Sequence, residues 1–147
     1  MEHEELIRTQ LVKLLEGDQS YRKMENALQE LSFDVVHLKP DGFPYSIWQL
    51  VEHIRIAQWD IVEFSNSAHH ISPKWPDEYW PQETGPKNQQ EWKTSLKKIE
   101  VYQDELKRMI KDPENDLMKA FEWGSGQTLF REVLFLPEHN AYHMGQI

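Results

Sequence analysis

The sequence predicts an all-α protein, a four-helix bundle with a long ordered loop between the second and third helices. Three observations favour this fold. Apolar residues recur every three or four positions over most of the chain, and turn-forming residues divide these periodic stretches. A chain of 147 residues, 39% of them hydrophobic, can also bury a core without disulfides. We therefore expect a single domain over residues 1–147.

The first predicted helix carries apolar residues at helical spacing and is interrupted by a glycine. Its apolar positions are Leu6, Leu11, Leu14 and Leu15, followed past Gly17 by Tyr21, Met24, Leu28 and Leu31. Because glycine weakens the interior of a helix, we expect a kink or break near Gly17. Turn-forming residues at 39–44 separate this stretch from the second helix.

The second predicted helix begins at a capping box and contains His53. Ser46 is followed three residues later by Gln49, a spacing at which each side chain can bond the backbone N–H of the other residue. The apolar stripe of this helix consists of Ile47, Leu50, Val51, Ile54, Ile61 and Val62, and the helix ends near residues 65–66. His53 lies on or beside this stripe, where an imidazole needs a polar partner.

Residues 66–86 form a loop that we expect to be ordered and packed on the bundle. Prolines at positions 73, 76, 81 and 86 forbid a continuous helix, while Trp75, Tyr79 and Trp80 argue against disorder. The alternative interpretation is a lid or wall over a pocket, since long ordered loops often carry function. His69 and His70 are adjacent and point in different directions, so we expect both to be exposed and to be weak ligand candidates.

The third predicted helix runs from about residue 87 to residue 110 and is amphipathic. Its apolar side consists of Trp92, Leu96, Ile99, Leu106 and Met109, and charged residues occupy the other side. Because proline lacks the backbone N–H that a helix interior needs, we expect Asp112 and Pro113 to end it.

The fourth predicted helix follows a turn at residues 124–126 and is capped by Thr128. One continuous strip of this helix consists of Glu132, Phe135, His139 and His143. Pro137 removes a backbone hydrogen bond and should kink the helix just before the histidines. The sequence stops four residues after His143, so we expect the fourth helix to be truncated at the C-terminus.

Composition and charge argue against several classes of function. The 16 basic residues are scattered among 25 acidic ones, and the net charge of −9 disfavours nucleic acid as a partner. The acidic amino terminus and the absence of a long apolar run predict neither a leader peptide nor a membrane span, so we expect a cytoplasmic protein. Without cysteine, the chain has no disulfide, thiolate ligand or cysteine nucleophile. It also lacks a glycine-rich phosphate-binding loop.

Two histidines four residues apart, His139 and His143, are the most informative feature of the sequence. On a helix this spacing puts both imidazoles on one face, one turn apart, where they can share a metal ion. If the second helix packs against the fourth, His53 adds a third imidazole and leaves at least one coordination position open. The zinc-protease motif His-Glu-x-x-His is broken by Asn140, which disfavours that class. The alternative interpretation is that these histidines are satisfied core residues.

Four segments together resemble the DinB-like superfamily. They are SIWQLVEHI at 46–54, DL at 116–117, GQTL at 126–129 and EHNAYHMGQ at 138–146. The resemblance covers nearly the whole chain and rests on a lone histidine in the second helix joined to a His-x-x-x-His pair in the fourth. It implies a bundle with a long crossover, often a homodimer, that holds a divalent ion such as zinc or nickel on three histidines. Family members usually continue the fourth helix beyond the position of Ile147.

The resemblance also implies a metal-dependent reaction on a small-molecule substrate. Members of the family include thiol-dependent enzymes similar to bacillithiol S-transferases and the mycothiol-dependent maleylpyruvate isomerase, while others have no assigned reaction. We expect His53, His139 and His143 to hold the ion. An external low-molecular-weight thiol, or water, then takes the open position and attacks an electrophile. Glu132 is a candidate for orienting a metal ligand or for accepting a proton, although a surface or ion-paired carboxylate is the simpler interpretation.

Trp48, Gln49 and Gln146 lie within about a turn of these histidines and are candidates for lining a pocket. The competing function is a non-catalytic dimer stabilised by the metal, or a small-ligand binding protein linked to stress response. A closed coordination sphere with a fourth protein ligand would favour that alternative.

Overall fold

A computed structural model describes residues 2–17 and 23–147, and each secondary-structure element among these residues is a helix. The α-helices are α1 (Glu2–Glu16), α2 (Met24–Gln29), α3 (Ile47–Asn66), α4 (Gln89–Lys111) and α5 (Leu129–Met144). Short 3₁₀ helices cover Phe33–Val35 and Asp77–Tyr79. The all-α prediction is confirmed, and the described residues contain five α-helices where the sequence predicted four.

The first predicted helix is divided into two. Gly17 follows the end of α1 with a φ of 64°, a left-handed conformation that glycine adopts without a steric penalty. The predicted break near Gly17 is therefore confirmed. The short helix α2 begins at Met24 and has six residues, so Leu31 lies beyond its end. Tyr21, which the apolar pattern assigned to the first helix, lies outside the described residues.

Side-chain caps start the two helices that carry the predicted site. Ser46 Oγ accepts a hydrogen bond from the Gln49 backbone N–H at 3.2 Å, and Gln49 Oε1 accepts one from the Ser46 N–H at 3.1 Å. This is the predicted capping box of α3. Thr128 Oγ1 accepts from the Arg131 N–H at 3.1 Å and caps α5, also as predicted. From there α5 continues as one helix through Pro137.

The four long helices α1, α3, α4 and α5 pack together, and each contacts two of the others. α3 contacts α4 and α5, and α1 contacts the same two helices. One buried apolar cluster includes Ile61 of α3, Leu106 of α4 and Val133 of α5, and a second includes Ile54 of α3 and Ile99 of α4. Burial of these side chains is the main force that holds α3 and α5 at a fixed distance. Within residues 2–17 and 23–147, no helix combines the length and the apolar content that crossing a bilayer requires.

Residues 67–88 connect α3 to α4 and are fastened to the start of α3. Ser46 Oγ donates a hydrogen bond to the Thr84 carbonyl at 2.6 Å. Gln49 Nε2 donates to the Pro81 carbonyl at 3.1 Å. The two residues of the capping box therefore also hold the end of this loop.

Asp60 holds the middle of the same loop against α3. Its carboxylate accepts a hydrogen bond from the Tyr79 hydroxyl at 2.6 Å and pairs with His70 Nε2 at 2.7 Å. The His70 side chain is 9% exposed, and its ring packs edge-on against Trp59. The predicted exposure of His70 is therefore wrong, because a carboxylate on α3 provides the polar partner that lets this imidazole be buried. The predicted exposure of His69 is confirmed.

Candidate metal centre

Three histidines from two helices converge between α3 and α5. His53 and His143 are buried and His139 is half-buried. His53 Nε2 and His139 Nε2 are 3.0 Å apart, and one ligating nitrogen from each of the three rings lies within 4.8 Å of the others. The structure therefore brings together the three residues that the sequence predicted as metal ligands.

The loop fixes which nitrogen of His53 is free. His53 Nδ1 lies 2.9 Å from the Tyr79 carbonyl oxygen, which can only accept a hydrogen bond. Nδ1 therefore carries the proton, and in the neutral ring Nε2 presents its lone pair. The Trp80 ring stacks on the same imidazole at 3.8 Å with an angle of 3° between the planes, and Tyr45 stacks on Trp80 at 3.7 Å. This arrangement holds the His53 ring in one orientation.

Two amides and a backbone carbonyl orient His139 in the same way. Gln58 Nε2 donates to the Ile99 carbonyl at 2.6 Å, which leaves Gln58 Oε1 to accept from Asn140 Nδ2 at 3.3 Å. Asn140 Oδ1 then faces His139 Nδ1 at 3.4 Å. Because an amide oxygen can only accept a hydrogen bond, this series of hydrogen bonds favours the proton on Nδ1 of His139 and leaves Nε2 bare.

His143, the third histidine, is oriented by Gln146, three residues further along the chain. Its Nδ1 lies 2.7 Å from Gln146 Oε1, so this ring also carries its proton on Nδ1 and presents Nε2. Metal-binding histidines commonly bond a carbonyl or carboxylate through the nitrogen that does not ligate. All three imidazoles therefore have the arrangement expected of metal ligands.

The distance between the bare nitrogens of His53 and His139 fits a divalent cation. Two lone pairs that face each other at 3.0 Å repel, and a cation between them turns this repulsion into two attractive contacts. With metal–nitrogen distances of about 2.05 Å, neighbouring ligand nitrogens lie about 2.9 Å apart in octahedral geometry and about 3.3 Å apart in tetrahedral geometry. The observed distance between His53 and His139 falls between these two values.

Burial keeps the three imidazoles neutral at pH 7. It lowers the pKa of His53 to about 4, a shift that the Tyr79 hydrogen bond partly opposes and His143 reinforces. Burial also lowers the pKa of His139 to about 4, with His53 and His143 as further causes. The pKa of His143 is lowered by burial as well. A histidine must be neutral to ligate a metal, so at pH 7 protons compete weakly for this site.

Comparison with known proteins agrees with the resemblance found in the sequence. A family model described as the DinB superfamily matches residues 16–147. The chain belongs to the DinB superfamily. No curated protein and no solved structure matches the chain. Membership of the DinB superfamily confirms the predicted family and agrees with the helical fold of the chain. Because proteins of one fold can carry out different reactions, the fold does not identify the reaction.

Glu132 of this DinB chain lies apart from the three imidazoles. It precedes His139 by seven residues, which corresponds to about 10 Å along α5. Its carboxyl group is half-buried, and burial is the main cause of its raised pKa. Arg131 opposes this rise, whereas the charge of Asp60 reinforces it. The charge of Asp60, which holds the loop, therefore acts on Glu132.

Of the other predicted pocket residues, Trp48, Gln49 and Gln146, one hydrogen-bonds a histidine of the centre and two have other partners. Gln146 contacts His143, as the sequence suggested. Trp48 belongs to the second apolar cluster, where its ring lies 6.3 Å from that of Trp92. Gln49 uses its side chain for the capping box and for the loop. Of the three candidates, Gln146 is the one whose side chain hydrogen-bonds one of the three histidines.

Gln58 and Asn140, which orient His139, were not predicted from the sequence as site residues. A signal for Gln58 was available, because this amide interrupts the apolar stripe of α3 between Ile54 and Ile61. A buried amide needs partners, and its nearest candidates in a bundle are on the neighbouring helices. The role of the Tyr79 carbonyl had no such signal, since any residue presents a backbone carbonyl.

Proposed function

We propose that the chain is a divalent-metal-dependent enzyme of the DinB superfamily, with His53, His139 and His143 as the ligands. One observation carries this proposal: each imidazole uses Nδ1 for a hydrogen bond to an acceptor, Nε2 of His53 and Nε2 of His139 are 3.0 Å apart, and one ligating nitrogen from each of the three rings lies within 4.8 Å of the others. Core histidines need partners too, but three of them do not need to aim their lone pairs at one another. We also propose that the four long helices form the four-helix bundle of this family, with residues 67–88 as its long ordered loop.

We infer zinc or nickel as the ion and a low-molecular-weight thiol as its external partner. A bound divalent ion lowers the pKa of a thiol or water molecule beside it and so supplies a nucleophile at neutral pH. The chain contains no cysteine, so the thiol must come from outside. The reaction that fits best is transfer of this thiol to a small-molecule electrophile, and hydrolysis is the related alternative.

The chain's own residues contribute orientation and exclusion of water. Trp80 covers one face of His53, and Tyr79 fixes its tautomer. Glu132 is our candidate proton acceptor, because a raised pKa brings a carboxylate closer to the working range of a general base. At about two turns from His139 it reaches the reaction through the substrate or through water.

Metal analysis of protein purified without chelator or an affinity metal tests the centre. We expect about one divalent ion per chain in the natural sequence and almost none in His139→Ala. His69→Ala is the matched control, because His69 is an exposed histidine in the loop. Equal metal content in the two variants would refute the assignment of the ligands.

Turnover is tested with the metal-loaded protein, a set of small thiols and a chromogenic aryl halide as the electrophile. We expect His143→Ala to lose both metal and turnover. Glu132→Gln should keep its metal and react about a hundredfold more slowly, within the usual range for loss of a general base. A metal-loaded protein with no turnover toward any thiol or ester would instead indicate the non-catalytic binding protein.

We further propose that the protein is a homodimer in the cytoplasm that acts on a small molecule. The scattered basic residues and the net charge of −9 argue against nucleic acid. Sedimentation equilibrium of the metal-loaded protein tests the dimer, and a mass of one chain at micromolar concentration would contradict it.

A further inference from the structure

Three exposed aromatic side chains surround the histidines, and each contacts a different one. The ring of Trp75 lies 6.3 Å from His53, that of Phe135 lies 5.7 Å from His139, and that of Tyr142 lies 5.0 Å from His143. Their exposed fractions are 71% for Trp75, 48% for Phe135 and 66% for Tyr142. We call these three residues the aromatic rim.

The aromatic rim comes from two separate parts of the fold. Phe135 and Tyr142 lie on the same side of α5 as His139, since spacings of four and three residues repeat one helix face. Trp75 belongs to the loop after α3 and is held there by an edge-on contact with Tyr79 at 5.4 Å. Large apolar side chains that stay exposed around a concentration of polar groups are typical of binding sites.

The charge balance of the centre indicates what kind of group binds there. The hydrogen-bond partners of the three imidazoles are the Tyr79 carbonyl and the side-chain amides of Asn140 and Gln146, all of which are uncharged. Among the residues that the structure describes, no carboxylate joins this group of potential metal ligands. A divalent ion on three neutral imidazoles therefore keeps its full charge, which favours an anion as the added ligand.

We propose that the aromatic rim binds the ring of an aryl anion, such as an aryl thiolate, whose charged atom is directed to the three histidines. This inference rests on the proposed metal centre and adds the class of ligand that the centre takes. Aromatic rings prefer offset-stacked or edge-to-face contacts with other rings, and Trp75, Phe135 and Tyr142 present such surfaces from two directions. Each ring contact should be worth about threefold to tenfold in affinity.

The test uses the cobalt-loaded protein, whose absorption spectrum reports binding at the metal. Azide probes the open metal position alone, 2-mercaptoethanol adds an aliphatic thiol, and thiophenol adds an aromatic ring. After correction for the fraction of thiolate, we expect thiophenol to bind at least about tenfold more tightly than 2-mercaptoethanol. Trp75→Ala and Phe135→Ala should each weaken thiophenol binding about threefold to tenfold and leave the dissociation constant of azide unchanged.

Leu134→Ala is the matched control for these variants. Leu134 is an exposed apolar residue on α5 next to Phe135, and its replacement should change none of the three dissociation constants. If azide binds normally but the variants bind thiophenol as tightly as the natural protein, the aromatic rim is refuted and the metal centre stands. If azide causes no spectral change, the metal centre itself fails and the inference fails with it. A dimer that dissociates in Trp75→Ala, with thiophenol binding unchanged, would make the aromatic rim a subunit contact and overturn the proposal.

Discussion

The buried amide of Gln58 should control zinc binding although it touches no metal ligand. Gln58→Met keeps nearly the same volume but removes the hydrogen bonds to the Ile99 carbonyl and from Asn140. Asn140 is then free to turn its amide, and its oxygen no longer has to face His139. The two lost bonds should cost about 1 to 3 kcal/mol of stability.

The expected loss of zinc affinity follows from the length of the contact between Asn140 and His139. Removing a group that orients a metal ligand usually weakens binding by about tenfold to a hundredfold. The contact between Asn140 Oδ1 and His139 Nδ1 is long, at 3.4 Å, so we expect the lower end of this range. About tenfold corresponds to about 1.4 kcal/mol in binding free energy.

Gln103 provides the matched control. It is also a buried glutamine, and its Nε2 donates to the Leu15 carbonyl at the end of α1. Gln103→Met should therefore lose similar stability in urea unfolding of the metal-free protein. Zinc affinity, measured by competition with a chromophoric chelator, should fall in Gln58→Met and stay constant in Gln103→Met. Equal zinc affinities in the two variants would refute the proposed orientation of His139 by Gln58.

Three further predictions concern pH, the loop and the metal. Unfolding restores the ordinary pKa of His53 and His139, so the metal-free unfolded chain takes up protons that the folded protein does not. Stability should therefore fall as the pH decreases from about 6.5 to about 4, and thermal melts across this window should show a smaller fall in His139→Gln. Tyr79→Phe loses the bond to Asp60 and should cost about 1 kcal/mol in urea unfolding, and a loss below a few tenths would contradict this role. Zinc at about one hundred times its dissociation constant should raise the melting temperature by about 5 to 10 °C, and an equal rise in His143→Ala would count against the site.

The sequence was most informative where the determining interactions are local. The capping box of Ser46 and Gln49 joins residues three positions apart, and the pairing of His139 with His143 needs one helical turn. The division of the first helix could be expected at Gly17 for the same reason, since one residue's backbone preference decides it.

The orientation of the ligands depends on contacts between residues that are distant in sequence. The Tyr79 carbonyl reaches His53 across 26 residues, and Asn140 reaches Gln58 across 82. The burial of His70 in the loop depends on Asp60, which lies ten residues earlier, within α3. Periodicity and motifs describe single segments, so they cannot state which backbone carbonyl or amide a folded neighbour will present.

The separation of the ligands along the chain has a consequence for chain entropy. His53 and His139 are 86 residues apart, so an ion held by both closes a loop of that length. A permanent cross-link of this size restricts the unfolded chain by about 4 to 5 kcal/mol at 25 °C in the loop-closure treatment, whereas an ion that leaves on unfolding contributes its binding free energy to the folded protein instead. Proteins commonly obtain this effect from a disulfide, and a chain without cysteine has no such bond. A metal ion between α3 and α5 would then join the two halves of the polypeptide as a removable cross-link, which a chelator opens and free metal closes.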